Sequence, residues 1–355
     1  MKFMKNQLRR TAVGAIAAIA ALTSFGAVAS ADEITGAGAT FPQPVYTRWA
    51  EQYAASNGDT LNYQGIGSGA GTTQIINRTV DFGASDAPVA PERLASNNLL
   101  QFPAVIGAVV VSVNIAGVNG NDLHLTGPVV ADIYLGRIRM WNDRRIAALN
   151  PGVTLPAVAI APVYRADSSG TTSIFTSYLG AVSLAFQTTI GAGSSVSWRA
   201  GIGAPGNAGV AGAIRNTNGA IGYVEYAYAT ENNMATPQLQ NRSGAWVRPN
   251  SAAFAAAAAT ANWASAPNMA ASMINTAGQA NWPIVSATYI LLPKNPTDGA
   301  RSLKVMRFFD WAFNNGQPAA DQLHYIMLPE SVRAQVRQRW CQVRSNGQPV
   351  WSGCH

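Results

Sequence analysis

Three short segments rich in Gly, Ser and Thr constrain this chain most: Gly36-Ala37-Gly38-Ala39-Thr40-Phe41-Pro42, Gly65-Ile66-Gly67-Ser68-Gly69-Ala70-Gly71 and Arg165-Ala166-Asp167-Ser168-Ser169-Gly170-Thr171. Each is expected to open an amphipathic helix: Val45, Trp49 and Tyr53 follow the first at helical spacing, and Ile174, Phe175, Tyr178 and Leu179 share one face after the third. A helix N-terminus presents unpaired N–H groups and the positive end of the macrodipole. Three of them converging make a cage for a small oxyanion.

Apolar β-branched runs alternate with these helical patterns, which predicts α/β layering. Residues 105–113 (VIGAVVVSV) and 284–292 (IVSATYILL) read as two long buried strands, and the stretch between them is large enough for a domain of its own. The chain would then form two lobes joined by two hinge crossings: a discontinuous lobe I of residues 32–106 and 288–355, and a lobe II of residues 107–287. Residues 201–212 (GIGAPGNAGVAG) look superficially like a dinucleotide fingerprint. They follow Trp198-Arg199-Ala200 in place of a strand, with no suitably placed acid beyond, and nucleotide binding is not expected. The Ala-rich residues 252–261 read as a surface helix.

The first 31 residues carry Lys2, Lys5, Arg9 and Arg10, then an uncharged Ala-rich run, then Ala29-Ser30-Ala31, and so read as a cleaved secretory signal. Thr11-Ala12-Val13 after the arginine pair fits the general export route better than a twin-arginine one. Removing the signal lowers the formal net charge from +7 to +3, and no Lys/Arg-rich run remains to argue for nucleic acid. The periplasm is the expected location. The two cysteines, Cys341 and Cys354, flank a turn at Asn346-Gly347-Gln348-Pro349 and are expected to form a disulfide there.

A dry oxyanion site must satisfy nearly every lone pair of its ligand. Thr40, Ser68, Ser169 and Thr171 offer hydroxyls, and Phe41, Gly170 and Thr171 offer backbone N–H groups. Arg165 can grip tetrahedral oxygens with its guanidinium, and Asp167 can hold that guanidinium in place. Asp86 is the sharpest clue to which anion is held. A carboxylate repels a fully ionised ligand such as sulfate but accepts a hydrogen bond from one that keeps a proton at neutral pH, as phosphate does.

At these residues the chain resembles the periplasmic phosphate-binding protein of the high-affinity phosphate ABC transporter (PstS type). The segments GAGATFPQPVYTRWAEQY, NYQGIGSGAGTTQII, TVDFGASDAPV, QFPAVIGAVVVSVNI, DIYLGRIRMWND, YRADSSGTTSIFTSYL, GAIGYVEYAYA and KVMRFFDWAF carry the resemblance in order. It implies a type II periplasmic-binding-protein fold that closes on inorganic phosphate and delivers it to membrane permease subunits. It implies phosphate contacts from Thr40, Phe41, Ser68, Asp86, Arg165, Ser169, Gly170 and Thr171, with Asp167 behind Arg165. Ser168 stands where the family commonly has Gly, and the cysteine-bearing tail after Trp340 extends past the usual family end. The expectation is a monomeric receptor that is not an enzyme and uses no cofactor or metal. His124, His324 and His355 fall in no motif that would serve a secreted phosphate-ester hydrolase, the rival reading. Arsenate or sulfate as ligand of the same fold is a further alternative.

Overall fold

The computed structural model describes residues 33–354, so the expected signal segment at residues 1–31 lies outside them. The strands that organise the molecule are β1 (Ile34–Gly38), β2 (Leu61–Gly65), β3 (Phe82–Ser85), β4 (Leu99–Asn114), β5 (Ala161–Arg165), β6 (Ile202–Ala204), β7 (Ala220–Glu225) and β8 (Ile284–Pro293). They lie in one sheet in the order β2-β1-β3-β8-β4-β7-β5-β6. Pairing is parallel within β2-β1-β3 and within β7-β5-β6, and antiparallel across the middle.

The two long apolar strands make that middle. Every residue of β8 and all of β4 except Asn114 are buried, as strands covered on both faces must be. β4 changes partner along its length: Leu99 to Ala108 pair with β8, and Val109 to Asn114 pair with β7. Two half-sheets therefore share one continuous strand, and the hand-over falls between Ala108 and Val109.

Helix α1 (Gln43–Asn57) buries Val45, Tyr46, Trp49 and Tyr53, the apolar stripe expected of it, and ends at Gly58 in the left-handed region. It packs on α6 (Gly299–Asn315), with Tyr46 edge-on to Phe309 and Tyr53 edge-on to Phe308. Between them in sequence lie α2 (Ser68–Ile76), α3 (Gly170–Val182), α4 (Gly206–Asn216) and α5 (Ser251–Ala258). Close approach of α2 to β1 needs glycine on both sides: a Cβ on Gly71 would lie 2.2 Å from the Gly38 Cα.

Two expectations are corrected. The Ala-rich α5 is not simply a surface helix, because Ala253, Phe254, Ala257 and Ala258 are buried and Phe254 meets Tyr226 and Trp282. Residues 201–212 do contain a strand, since β6 pairs with Val163 to Arg165 of β5 and leads into α4. Three residues were too short a run for periodicity to reveal. The second half-sheet thus owns a further loop-to-helix junction, at Gly206 and Asn207.

The tail is stapled as expected by the Cys341–Cys354 disulfide. Within the ring, Arg344–Ser345 pairs with Gln348–Pro349 around Asn346 and Gly347, both at positive φ as a tight hairpin requires. Trp351 packs edge-on against the buried Trp340. Replacing both cysteines with serine is expected to cost at most about 3 kcal/mol, the loop-closure value for a ring of this size. Thermal unfolding checks this, and because the ring lies outside the cage loops, anion affinity should be unchanged; a loss of affinity would contradict that. Among the described residues, no helix is long and apolar enough to cross a membrane.

Candidate functional site

The three loops named by the sequence converge, and every proposed contact residue lies at their meeting point. Thr40, Phe41, Ser68, Asp86, Arg165, Ser169, Gly170 and Thr171 are all buried, Asp86 to 1 % exposure and Ser169 and Thr171 to 0 %. Ser68 joins the two sides: its Oγ accepts from the Gly170 N–H at 3.0 Å and from the Asp86 N–H at 3.3 Å. The Gly69 N–H donates to the Ser168 carbonyl. Gly170 is required here, because a Cβ would sit 2.5 Å from Ser68 Oγ and 2.6 Å from the Asp86 Cβ. Ser168 turns its hydroxyl toward Ser194 and leaves the loop backbone to make these contacts.

The first loop is held from behind by three tyrosines that the sequence did not single out. The Tyr63, Tyr228 and Tyr325 hydroxyls donate to the carbonyls of Ala39, Thr40 and Phe41 at 2.7, 2.7 and 2.6 Å. In a trans peptide the N–H points opposite to the carbonyl of the preceding residue. Tethering the Ala39 and Thr40 carbonyls therefore turns the Thr40 and Phe41 N–H groups the other way, which is the orientation an anion needs.

Arg165 enters at the end of β5. Its Nε donates to Asp167 Oδ1 at 2.8 Å, its Nη2 contacts Asp167 Oδ2, and its Nη1 reaches Thr171 Oγ1 at 3.3 Å. The guanidinium is thus clamped on one edge. Burial would raise the Asp167 carboxyl, but hydrogen bonds from Arg165 and the Gly206 N–H outweigh it and hold the group below the usual carboxylate range. Ser169 caps α3, accepting from the Thr172 N–H, and Thr172 in turn contacts the Tyr223 hydroxyl.

Asp86 does not cap a helix, since the following helix begins at Pro91 with Ala90 before it. Both of its carboxylate oxygens are buried without a hydrogen-bond partner. Burial pushes this carboxyl up to about 7, opposed only in part by Thr288, Arg165 and Ser68. The acid is therefore poised to hold or share a proton near neutral pH.

That poise has a sign in stability. Unfolded chains release this proton near the ordinary carboxylate value of 3.8, whereas the folded protein keeps it to about 7. Between those limits the native state binds more protons, so stability falls as pH rises and is flat above about 7. Glu225, also buried and raised by burial, acts in the same sense. Unfolding of the ligand-stripped protein at pH 5 and pH 8 should differ by a few kcal/mol, and Asp86→Asn should remove part of that difference while Glu225 retains the rest. An identical pH profile in the variant would show that Asp86 does not titrate this way.

Sequence reasoning missed Asn207 at the start of α4. It is fully buried, and its side-chain amide reaches Thr40 Oγ1 at 2.8 Å and Thr171 Oγ1 at 3.3 Å. The only available signal was the Gly-Asn pair at a loop-to-helix junction, in a segment read as lacking a strand.

Known proteins resemble this chain over most of its length. The family model described as a PBP superfamily domain matches residues 23–315. The Phosphate-binding protein PstS of Pasteurella multocida is 46 % identical over 331 residues, 93 % of this chain and 96 % of the relative. That of Haemophilus influenzae is 45 % identical over 312 residues, 88 % of this chain and 93 % of the relative. Among solved structures, a high affinity periplasmic phosphate-binding protein (PfluDING) bound with phosphate superposes with a TM-score of 0.70 at 22 % identity, covering 91 % of this chain and 98 % of the other. A phosphate-binding protein from Stenotrophomonas maltophilia gives 0.66 at 22 % identity, covering 91 % and 99 %. These two likenesses establish the fold, a mixed α/β type II periplasmic-binding architecture.

Proposed function

This chain belongs to the PstS-type phosphate-binding proteins, and we propose that it is a periplasmic receptor which captures inorganic phosphate and delivers it to the permease of an ABC transporter. The observation that carries the ligand assignment is Asp86: a buried carboxylate without a partner, set where Ser68, Gly170 and Arg165 otherwise supply only donors. Phosphate keeps a proton near neutral pH and can donate it to Asp86, while its remaining oxygens accept from the N–H groups of Thr40, Phe41 and Gly170, from the hydroxyls of Thr40, Ser68, Ser169 and Thr171, and from Arg165. Sulfate has no proton to give. Arsenate, nearly isosteric and similarly protonated, would be excluded poorly. The relatives are named for binding, which favours a receptor over a phosphate-ester hydrolase.

The contacts come from both half-sheets, so capture should bring two lobes together, residues 32–106 with 288–355 and residues 107–287. The change of partner along β4 between Ala108 and Val109 supports a hinge at about the first crossing. The second crossing, between residues 287 and 288, would fall within β8, which pairs with β4 from Val285 onward. Export, cleavage near Ala31 and a monomeric state are part of the same reading.

Small-angle scattering of the ligand-stripped protein is the test of capture by closure. Saturating phosphate should reduce the radius of gyration and raise the melting temperature, the latter because ligand binds only the native state. An unchanged radius with phosphate bound would reject a hinge-closing receptor.

A further inference from the structure

The hydroxyls of the cage are not free rotors, and the residue that fixes two of them is Asn207. Its Oδ1 accepts from the Glu225 backbone N–H at 3.0 Å, and because that group can only donate, the amide orientation is settled: Nδ2 faces Thr40 and Thr171. A hydroxyl has one proton and two acceptor positions. Thr40 Oγ1 already accepts twice from Asn207, from its backbone N–H at 3.2 Å and from Nδ2 at 2.8 Å. Thr171 Oγ1 accepts from Asn207 Nδ2 and from Arg165 Nη1, both at 3.3 Å. With both acceptor positions filled on each oxygen, neither hydroxyl can accept from a ligand, and each has only its proton left to offer. Ser68 Oγ, filled by Gly170 and Asp86 N–H groups, is in the same condition without Asn207.

We infer that Asn207 is a positioning and specificity-determining residue which commits the Thr40 and Thr171 hydroxyls to act only as donors. This rests on the phosphate-cage reading above and deepens it. The Thr40, Thr171 and Ser68 hydroxyls then offer the ligand only donors, and Asp86 is the carboxylate that can take a proton carried by a ligand oxygen. Asn207 acts through the two threonines and from the second half-sheet holds a loop of the first, which ties hydroxyl polarity to the meeting of the two.

The test is a mutant cycle on the full mature chain, with phosphate affinity measured by calorimetry on ligand-stripped protein. Removing the two hydroxyls with Thr40→Val and Thr171→Val together should weaken phosphate binding by about a hundredfold or more; no loss there would reject the cage reading itself. Asn207→Ala alone should cost about tenfold, because the hydroxyls can then turn away. In the Thr40→Val/Thr171→Val background the same Asn207→Ala change should cost almost nothing. An equal loss in both backgrounds would overturn the inference, showing that Asn207 merely packs the loops. Asn207→Asp keeps the shape and can still accept from Glu225, but its second oxygen draws the two hydroxyl protons out of the cage. Its loss should exceed that of Asn207→Ala, and wild-type affinity in Asn207→Asp would equally overturn the inference. Melting temperatures of the unliganded variants identify any that fail to fold, and the isosteric Asp variant keeps the test open if the Ala variant is among them.

Discussion

Replacing Arg165 with alanine is expected to weaken phosphate binding by roughly 30-fold to several thousandfold, the range for losing one partner of a buried, hydrogen-bonded charge pair at 2–5 kcal/mol. Two effects add. The Arg165 side chain is 1 % exposed and is the only cation among the proposed contacts, so its removal leaves the ligand charge without its main compensation. It also leaves Asp167 half-buried with the Gly206 N–H but without the Arg165 hydrogen bonds that help keep its carboxyl low, placing a second negative charge beside the ligand. Arg165→Lys should fall between wild type and Arg165→Ala, because the charge survives and the fork gripping Asp167 does not. Calorimetry on the three proteins reads this directly. Affinity of Arg165→Ala within threefold of wild type would mean that the anion does not lie against this guanidinium.

Asp86→Asn should produce the other large change, and it should appear in the forbidden ligand. In wild type, sulfate meets a buried carboxylate with which it can share no proton, an uncompensated repulsion in a low-dielectric site. The amide keeps the shape and offers a donor, so sulfate binding should become measurable, while phosphate exchanges one charge-assisted hydrogen bond of about 1.5–3 kcal/mol for a neutral one. Acid should mimic the substitution. Because burial raises Asp86 to about 7, the wild-type group carries its own proton well below that pH and can donate to sulfate; discrimination should narrow as pH falls, and in Asp86→Asn this pH dependence should vanish. Wild-type protein that rejects sulfate equally at pH 5 and pH 8, with Asp86→Asn rejecting it too, would remove Asp86 from its assigned role.

The loops were legible in the sequence because their signals are local. A Gly/Ser/Thr run followed by apolar residues at helical spacing marks a strand-to-helix junction whatever lies elsewhere, and the long strands β4 and β8 announce burial on both faces by composition alone. What stayed hidden depends on contacts across the chain. β6 has three residues and exists because β5 pairs with it, so the junction at Gly206 and Asn207 was passed over. The tyrosines that orient the first loop lie at 63, 228 and 325, and nothing near them in sequence points to carbonyls at 39, 40 and 41. The buried face of α5 likewise comes from Phe254 meeting Trp282 and Tyr226, and alanine is compatible with either environment. Asp86 could be named as a discriminator from its residue type, whereas its loss of every hydrogen-bond partner is a property of the packed site.

Calorimetric titration of the ligand-stripped wild-type protein with phosphate and with sulfate, at pH 8, where Asp86 is mostly ionised, and at one salt concentration, tests the central claim most directly. A single tight phosphate site per chain, with no detectable heat of sulfate binding, is the expected result. Absence of phosphate binding, or sulfate bound as tightly as phosphate, would contradict a cage built around the proton held between its ligand and Asp86.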